Sequence, residues 1–362
     1  MPASVPGTSN SIKRILLVRT DRLGDVILTL PLLPHLRKCF PDAYVALLLR
    51  RYTGAIAEGN PYVDELLWYD DEQHLLPFRA MLQTIRKKRF DAVIVVYPTT
   101  RLAWLIFRAG IPFRIGTGYR YYSILFNRKV WEHRKDAKRH EVEYNLMLLK
   151  ELNCKVEGKP EFFIDIPSHV ESRVKSLLES SSKKVIDPMV IIHPGTGGSA
   201  REWPAADFGR LAGRFLANGV QVYITGARGE EQKVQEVLSA TGGKAIPFVG
   251  RVDLKELAAL IRSASLFVSN STGPLHLAVA VGTPVVGLYP QHTAMSAKRW
   301  GPYSGRNRVL VPKKPVDCTD CLRKKDELCS CMASISVEEV YDAACSLLYE
   351  SKEHANGAIT HG

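Results

Sequence analysis

Several things are missing from this chain of 362 residues. No apolar run approaches the roughly 18–20 residues that cross a bilayer, since even the longest candidate, residues 266–290, is broken by Ser, Asn, Gly and Pro. The opening segment MPASVPGTSNSIKR has no apolar signal core, which predicts a cytoplasmic location. Neither candidate nucleotide turn reads GxGxxG after its strand, which argues against a nucleotide-linked oxidoreductase. Zinc-finger, RRM and KH signatures are absent, so no nucleic-acid partner is expected. Carboxylates are scarce in one region: residues 79–139 hold Asp91, Glu132 and Asp136 against a crowd of cations that includes Arg101, Arg108, Arg114, Arg120, Arg128 and Lys129.

What is present fits a soluble globular protein with two cores: 46% apolar residues, 24% charged residues and a formal charge of +12. Tyr119, Tyr121, Tyr122 and Trp131 lie among the cations, a composition that suits an anionic glycan or lipid headgroup, while a merely solvated face is the plainer alternative. Seven cysteines are too few and too scattered for a secreted disulfide framework. Four of them, Cys318, Cys321, Cys329 and Cys331, follow a CxxC…CxC spacing that could supply thiolates to a structural zinc, or remain reduced. Cys39, Cys154 and Cys345 are expected in or near cores.

Strands and helical segments alternate along the chain, twice. Continuous apolar runs at residues 15–18, 44–49 and 92–97, then at 189–192, 220–225, 246–249, 266–269 and 285–288, read as strands of parallel sheets covered on both faces. The expected organisation is a first domain over 12–165, a linker over 166–187, a second domain over 188–335 and a last helix over 336–350. Asp253 is placed to cap the helix that follows it, and Trp203-Pro204 to start and anchor another. In doubly wound α/β domains ligands bind at the carboxyl ends of strands, so an interdomain cleft is the expected active site.

Three polar turns follow such strands: RTDRLGD after residue 18, HPGTGGSAREWP from His193, and SNSTGPLHLA from Ser269. Glycine-rich turns let backbone N–H groups approach phosphate, and Arg201 is a fixed cation beside one of them. With RTDRLGDVILTLPLLPHLR near the start and SNSTGPLHLAVAVGTPVVGLY late in the chain, the three ordered motifs resemble glycosyltransferase family 9, the lipopolysaccharide heptosyltransferases, over nearly all of residues 12–348.

The resemblance implies a GT-B fold of two Rossmann-like domains facing a cleft. It implies inverting, metal-independent transfer of a sugar from a nucleotide-diphosphate donor, typically ADP-heptose, to a lipopolysaccharide-core acceptor at the cytoplasmic face of the inner membrane. No catalytic cofactor is expected. Asp25 matches the base position, with Asp21 as the rival carboxylate, and Arg201 matches the cationic phosphate site. Thr196, Gly197, Thr272, Gly273 and His276 complete the donor diphosphate site, although a histidine at position 276 could equally be a satisfied core residue. Glu230 is the expected ribose acceptor, with Glu231 as the alternative, and Arg19, Arg22 and Arg120 are expected to face the anionic acceptor. Ser271 stands where many members carry an acidic residue. Related readings are a family 9-like transferase using another nucleotide sugar for cell-surface polysaccharide, and a sugar-nucleotide epimerase of the same fold.

Overall fold

A computed structural model describes residues 12–182, 187–303, 305–313 and 331–357, with side chains described through residue 349. The chain divides into two compact units between Asp165 and Ile166. Each is an α/β unit built on one six-stranded, wholly parallel sheet.

In the first unit the strands are β1 (Arg14–Val18), β2 (Tyr44–Leu49), β3 (Glu65–Trp68), β4 (Ala92–Val95), β5 (Phe113–Thr117) and β6 (Arg128–Val130), in the order β3-β2-β1-β4-β5-β6. The connecting helices are α1 (Leu23–Ile27), α2 (Leu32–Cys39), α3 (Arg51–Gly54), α4 (Phe78–Lys88), α5 (Thr100–Ala109) and α6 (Glu141–Met147). Every residue of β4 and all but the first of β1 and β2 are buried, which is why these strands read as unbroken apolar runs rather than alternating ones. Leu16, Val18, Val93 and Val95 pack with Met81 and Ile85 of α4 and Leu102 and Ile106 of α5 in one core. Cys39, at the end of α2, and Cys154 form a disulfide with Cα atoms 5.6 Å apart, so these two cysteines are a bonded pair rather than separate core thiols.

The second unit repeats the plan with β7 (Met189–His193), β8 (Gln221–Gly226), β9 (Ile246–Val249), β10 (Leu266–Asn270), β11 (Val285–Leu288) and β12 (Asn307–Leu310), ordered β12-β11-β10-β7-β8-β9. Its helices are α7 (Ser168–Ser181), α8 (Ala205–Ala217), α9 (Glu231–Ser239), α10 (Leu254–Arg262), α11 (Gly273–Ala280), α12 (Ala297–Trp300) and α13 (Val337–Gly357). The segment read as a linker therefore contains a helix of 14 residues, α7, which buries Val174 and Leu178 and is tied to α10 by the Arg173–Glu256 and Glu171–Arg262 ion pairs. Val170, Val174 and Leu178, spaced four apart, give it one apolar stripe, of which the last two are buried. Asp253 caps α10 as expected: its Oδ1 accepts from Glu256 N–H at 2.8 Å, and Glu256 Oε2 accepts from Asp253 N–H at 2.9 Å.

In each sheet the order in which strands are added reverses once, between β1 and β4 in the first unit and between β7 and β10 in the second. The connections leaving those neighbouring strands run to opposite sides, and their carboxyl ends leave a crevice. All three motif turns lie at these two points. Cys318, Cys321 and Cys329 lie outside the described residues, and Cys331 is buried in the core of the second unit. Among the described residues no helix is long and apolar enough to cross a membrane.

Candidate active site

At the end of β1 the chain turns through Arg19, Thr20 and Asp21 into α1, which carries Asp25 in its first turn. No side chain caps α1, so neither Asp21 nor Asp25 serves as its N-cap acceptor. Both carboxylates instead face Arg19: Nε donates to Asp21 Oδ1 at 2.6 Å, and Nη2 donates to Asp25 Oδ1. A third carboxylate, Glu141 at the start of α6, lies 3.8 Å from Nη1 and also pairs with Arg134. Arg19 was expected to face the acceptor, but it is 1% exposed and surrounded by these carboxylates. Burial alone disfavours its charge, yet Asp25, Asp21 and Glu141 together more than reverse that and raise its pKa.

Asp25 is held from a second direction, because Thr29 Oγ1 donates to its main-chain carbonyl at 2.8 Å. The carboxylate remains partly accessible, with 18% of the side chain exposed, which a proton acceptor for a bound substrate requires. Arg22 and Arg120 are exposed and so keep the acceptor-binding role open to them. Tyr97, at the end of β4, is half exposed and lies with its ring 5.8 Å from the Arg19 guanidinium carbon.

In the second unit β7 and β10 are in register from Val190 and Leu266 to His193 and Ser269, so the two glycine-bearing turns leave adjacent strand ends. Asn270 joins them. Its Nδ2 donates to the Pro194 carbonyl at 3.0 Å, and its Oδ1 accepts from Trp203 N–H at 3.0 Å. Trp203 is 1% exposed, packs edge-on against Phe208 and donates through Nε1 to the Ile335 carbonyl at 2.9 Å, confirming it as a packing anchor. Asn270 escaped the sequence reading because an asparagine in a polar turn reads as a turn former.

The HPGTGG turn is internally braced. Gly197 and Gly198 both have positive φ, +51° and +69°, conformations that glycine adopts without a Cβ penalty. Thr196 Oγ1 donates to Glu202 Oε1 at 2.6 Å and accepts from Gly198 N–H at 3.2 Å. Glu230 is drawn into this turn rather than standing free at a ribose position: its two oxygens accept from Gly197 N–H at 3.1 Å and Ala227 N–H at 2.8 Å. Gly195 permits that approach, since a Cβ there would lie 2.1 Å from Glu230 Oε2. Gly197 N–H is thus already engaged, and its contact with a phosphate would require Glu230 to yield the position. Arg201 follows the turn in sequence and is partly buried.

His193, beneath the turn, shares a hydrogen bond with Thr225 Oγ1 at 3.0 Å and stacks near Phe267. Burial lowers its pKa more than Glu230, 4.0 Å away, restores it, so the ring is neutral at physiological pH. Thr272 is the N-cap residue of α11 and is buried beside Ser269, 3.0 Å between hydroxyl oxygens; Gly273 begins the helix, and His276 is buried in it. Ser271 hydrogen-bonds the buried Tyr289 hydroxyl.

Two parallel sheets of the same strand order, each with polar turns at its reversal point, are the GT-B architecture of the solved family 9 glycosyltransferases that the chain resembles. The glycosyltransferase family 9 (heptosyltransferase) profile matches residues 78–331, and the chain belongs to that family. It is 28% identical to lipopolysaccharide heptosyltransferase 3 of Escherichia coli K12, across 74% of this chain and 79% of that protein. A family 9 glycosyl transferase from Veillonella parvula superposes with a TM-score of 0.80 at 25% identity, covering 93% of this chain and 97% of the other. E. coli ADP-heptose heptosyltransferase II gives a TM-score of 0.77 at 22% identity, covering 94% and 99%.

Proposed function

We propose that this glycosyltransferase moves a heptose from ADP-heptose to a sugar of a lipopolysaccharide core, with inversion and without a catalytic metal, at the cytoplasmic face of the inner membrane. Asp25 takes the proton of the acceptor hydroxyl as its oxygen attacks the anomeric carbon. The new carbon–oxygen bond forms on the face opposite the diphosphate, whose bond to the sugar breaks. A positioned base of this kind contributes roughly 10²- to 10⁴-fold in rate. Arg201, Thr196, Thr272, the N–H of Gly273 and His276 receive the negative charge that develops on the leaving diphosphate. Arg22 and Arg120 attract the anionic acceptor.

The observation that carries this reading is the tie made by Asn270, which fixes two glycine-bearing turns side by side at the reversal point of the second sheet. Adjacent polar turns at that point, one opening a helix, are suited to a diphosphate. The names of the relatives supply the sugar and the acceptor class. A role for Glu230 at the ribose follows only if the donor displaces it from Gly197 N–H; its first role is to shape the turn.

The test is to incubate the protein with ADP-heptose and a heptose-deficient lipopolysaccharide core and to weigh the product. Addition of one heptose, undiminished by EDTA, supports the proposal. Conversion of a nucleotide sugar with no acceptor present would instead make the protein an epimerase, and transfer only from another nucleotide sugar would change the donor. Metal analysis of the purified protein tests a structural zinc at Cys318, Cys321, Cys329 and Cys331.

A further inference from the structure

Between Ala92 and Trp131 the chain contains no Asp or Glu and six Lys or Arg residues, Arg101, Arg108, Arg114, Arg120, Arg128 and Lys129. This stretch folds as β4, α5, β5, a 3₁₀ turn over Tyr121–Leu125, and β6, the edge strand of the first sheet. An uninterrupted cationic stretch at a sheet edge has no internal countercharge of its own.

The same stretch exposes large apolar side chains. Ile124 and Tyr121 are each 80% exposed, Trp104 is 46% and Phe107 43%. Helix α5 explains two of them: Leu102, Ala103, Leu105 and Ile106 face the core, which leaves Trp104 and Phe107 outward, edge to face, with ring centroids 6.0 Å apart. The 3₁₀ turn explains the others, since Ser123 and Leu125 point inward while Tyr121 and Ile124 point out.

Two contacts bring these side chains onto one face. At the start of α5 the Thr100 and Tyr121 hydroxyls are hydrogen-bonded. Towards its end the Arg114 guanidinium lies 5.6 Å from the Phe107 ring and donates through Nε to the Leu125 carbonyl at 2.9 Å. Trp104 and Phe107 thus share a surface with Tyr121 and Ile124, and the exposed Arg108 and Arg120 adjoin it in sequence. A relay of contacts links this segment to the strand end that carries Arg19: Tyr122 OH donates to the Pro98 carbonyl at 2.6 Å, and Pro98 follows Tyr97, whose ring lies 5.8 Å from the Arg19 guanidinium.

We propose that this face docks onto an anionic lipid bilayer, with Trp104, Phe107, Tyr121 and Ile124 entering the headgroup–acyl boundary while Arg108 and Arg120 meet lipid phosphates. Aromatic and aliphatic tips surrounded by cations have the chemistry of that boundary, where rings sit at headgroup level and cations remain hydrated. A protein partner would be expected to offer carboxylates, whereas a bilayer offers phosphate and hydrocarbon together. The inference builds on the proposed acceptor, because docking by the unit that carries the base suits a sugar presented by a lipid.

Sedimentation of the full chain with vesicles of phosphatidylcholine, with and without phosphatidylglycerol, tests it. The wild type is expected to sediment with the anionic vesicles and to be released by salt, and the Trp104→Ser/Ile124→Ser double variant to bind at least about tenfold more weakly. Both positions are exposed, so unchanged thermal unfolding serves as the folding control. Equal binding to neutral vesicles, no binding, or undiminished binding by the folded double variant would overturn the proposal. So would a wild-type dimer that the variant abolishes, since the face would then belong to a second copy. Transfer to a de-acylated, soluble acceptor separates the two readings. Retained soluble transfer without vesicle binding defeats only the docking surface, whereas absent transfer by wild-type protein defeats the assigned reaction.

Discussion

The Arg19 guanidinium holds Asp25 from inside the protein: Nη2 donates to Oδ1 of the carboxylate, while the arginine itself is closed to solvent by Asp21, Glu141 and the strand end. The proposed base is therefore oriented by a cation that no substrate can reach. Asp25→Asn keeps the size of the side chain and removes its ability to accept a proton. Turnover is expected to fall about 10²- to 10⁴-fold, with nucleotide affinity, measured by calorimetry, unchanged. Turnover within a factor of a few of wild type would remove Asp25 from the role.

Replacing Arg19 has a different signature. Arg19→Met takes this cation from Asp21 and Asp25 and leaves Glu141 with Arg134, and removing one partner from a buried ionic group costs about 3–5 kcal/mol. Urea unfolding should show that loss. Arg19→Lys is not a conservative exchange, because a single ammonium cannot serve carboxylates lying in different directions. Among the variants that fold, a drop in kcat with little change in donor KM marks Arg19 as a positioning residue; an unchanged kcat would leave it a purely structural one.

Gly195 and Glu230 form a pair that can be tested by a double-mutant cycle. Gly195→Ala pushes a Cβ onto the Glu230 carboxylate, which must then release Gly197 N–H and Ala227 N–H. Nucleotide affinity should fall, and Glu230→Ala alone should loosen the same turn. The two changes together are expected to cost less than their sum, because each disrupts the same contact. Strict additivity in titration calorimetry would show that the two residues act separately.

Asn270→Ala strands Trp203 N–H and the Pro194 carbonyl, each a buried group whose lost partner costs about 1–3 kcal/mol. Asn270→Asp can still accept from Trp203 N–H but sets a carboxylate against the Pro194 carbonyl. Both variants should melt earlier than wild type and bind nucleotide more weakly. Wild-type melting in both would mean that the two turns are held by other contacts.

The pH dependence of stability should carry a mark of His193. Its folded pKa lies below the ordinary value of 6.5 because burial disfavours the charged ring. As pH falls below 6.5 the unfolded chain takes up a proton that the folded chain resists, so stability declines with acidification and is fully present above that value. His193→Gln should flatten this part of the melting curve between pH 7 and about pH 5. An unchanged slope would assign the acid sensitivity to other groups.

Most of the central strands could be recognised in the sequence because they are covered on both faces: MVII in β7 and ILLV in β1 are apolar without interruption. The edges were not. RKV in β6 and NRVL in β12 have a sheet neighbour on one side only and keep polar side chains, and neither stands out from loop sequence. Helix α7 was hidden by its serines, since only Val174 and Leu178 mark its buried side. The motif turns were legible because glycine next to a strand end has few other uses. The residues that lock them were not: Asn270 acts on partners 67 and 76 positions away, and the carboxylate Glu141 reaches Arg19 from the far end of the unit. Such pairings exist only after the chain has folded.

The Cys39–Cys154 bond joins residues 115 positions apart. It makes most of the first unit a closed covalent ring that takes in five of its six strands, β2 to β6, and leaves β1 outside. A protease that nicks a surface loop inside the ring would leave a protein that still migrates as one piece on a denaturing gel, and that separates into two only when a thiol reductant is added.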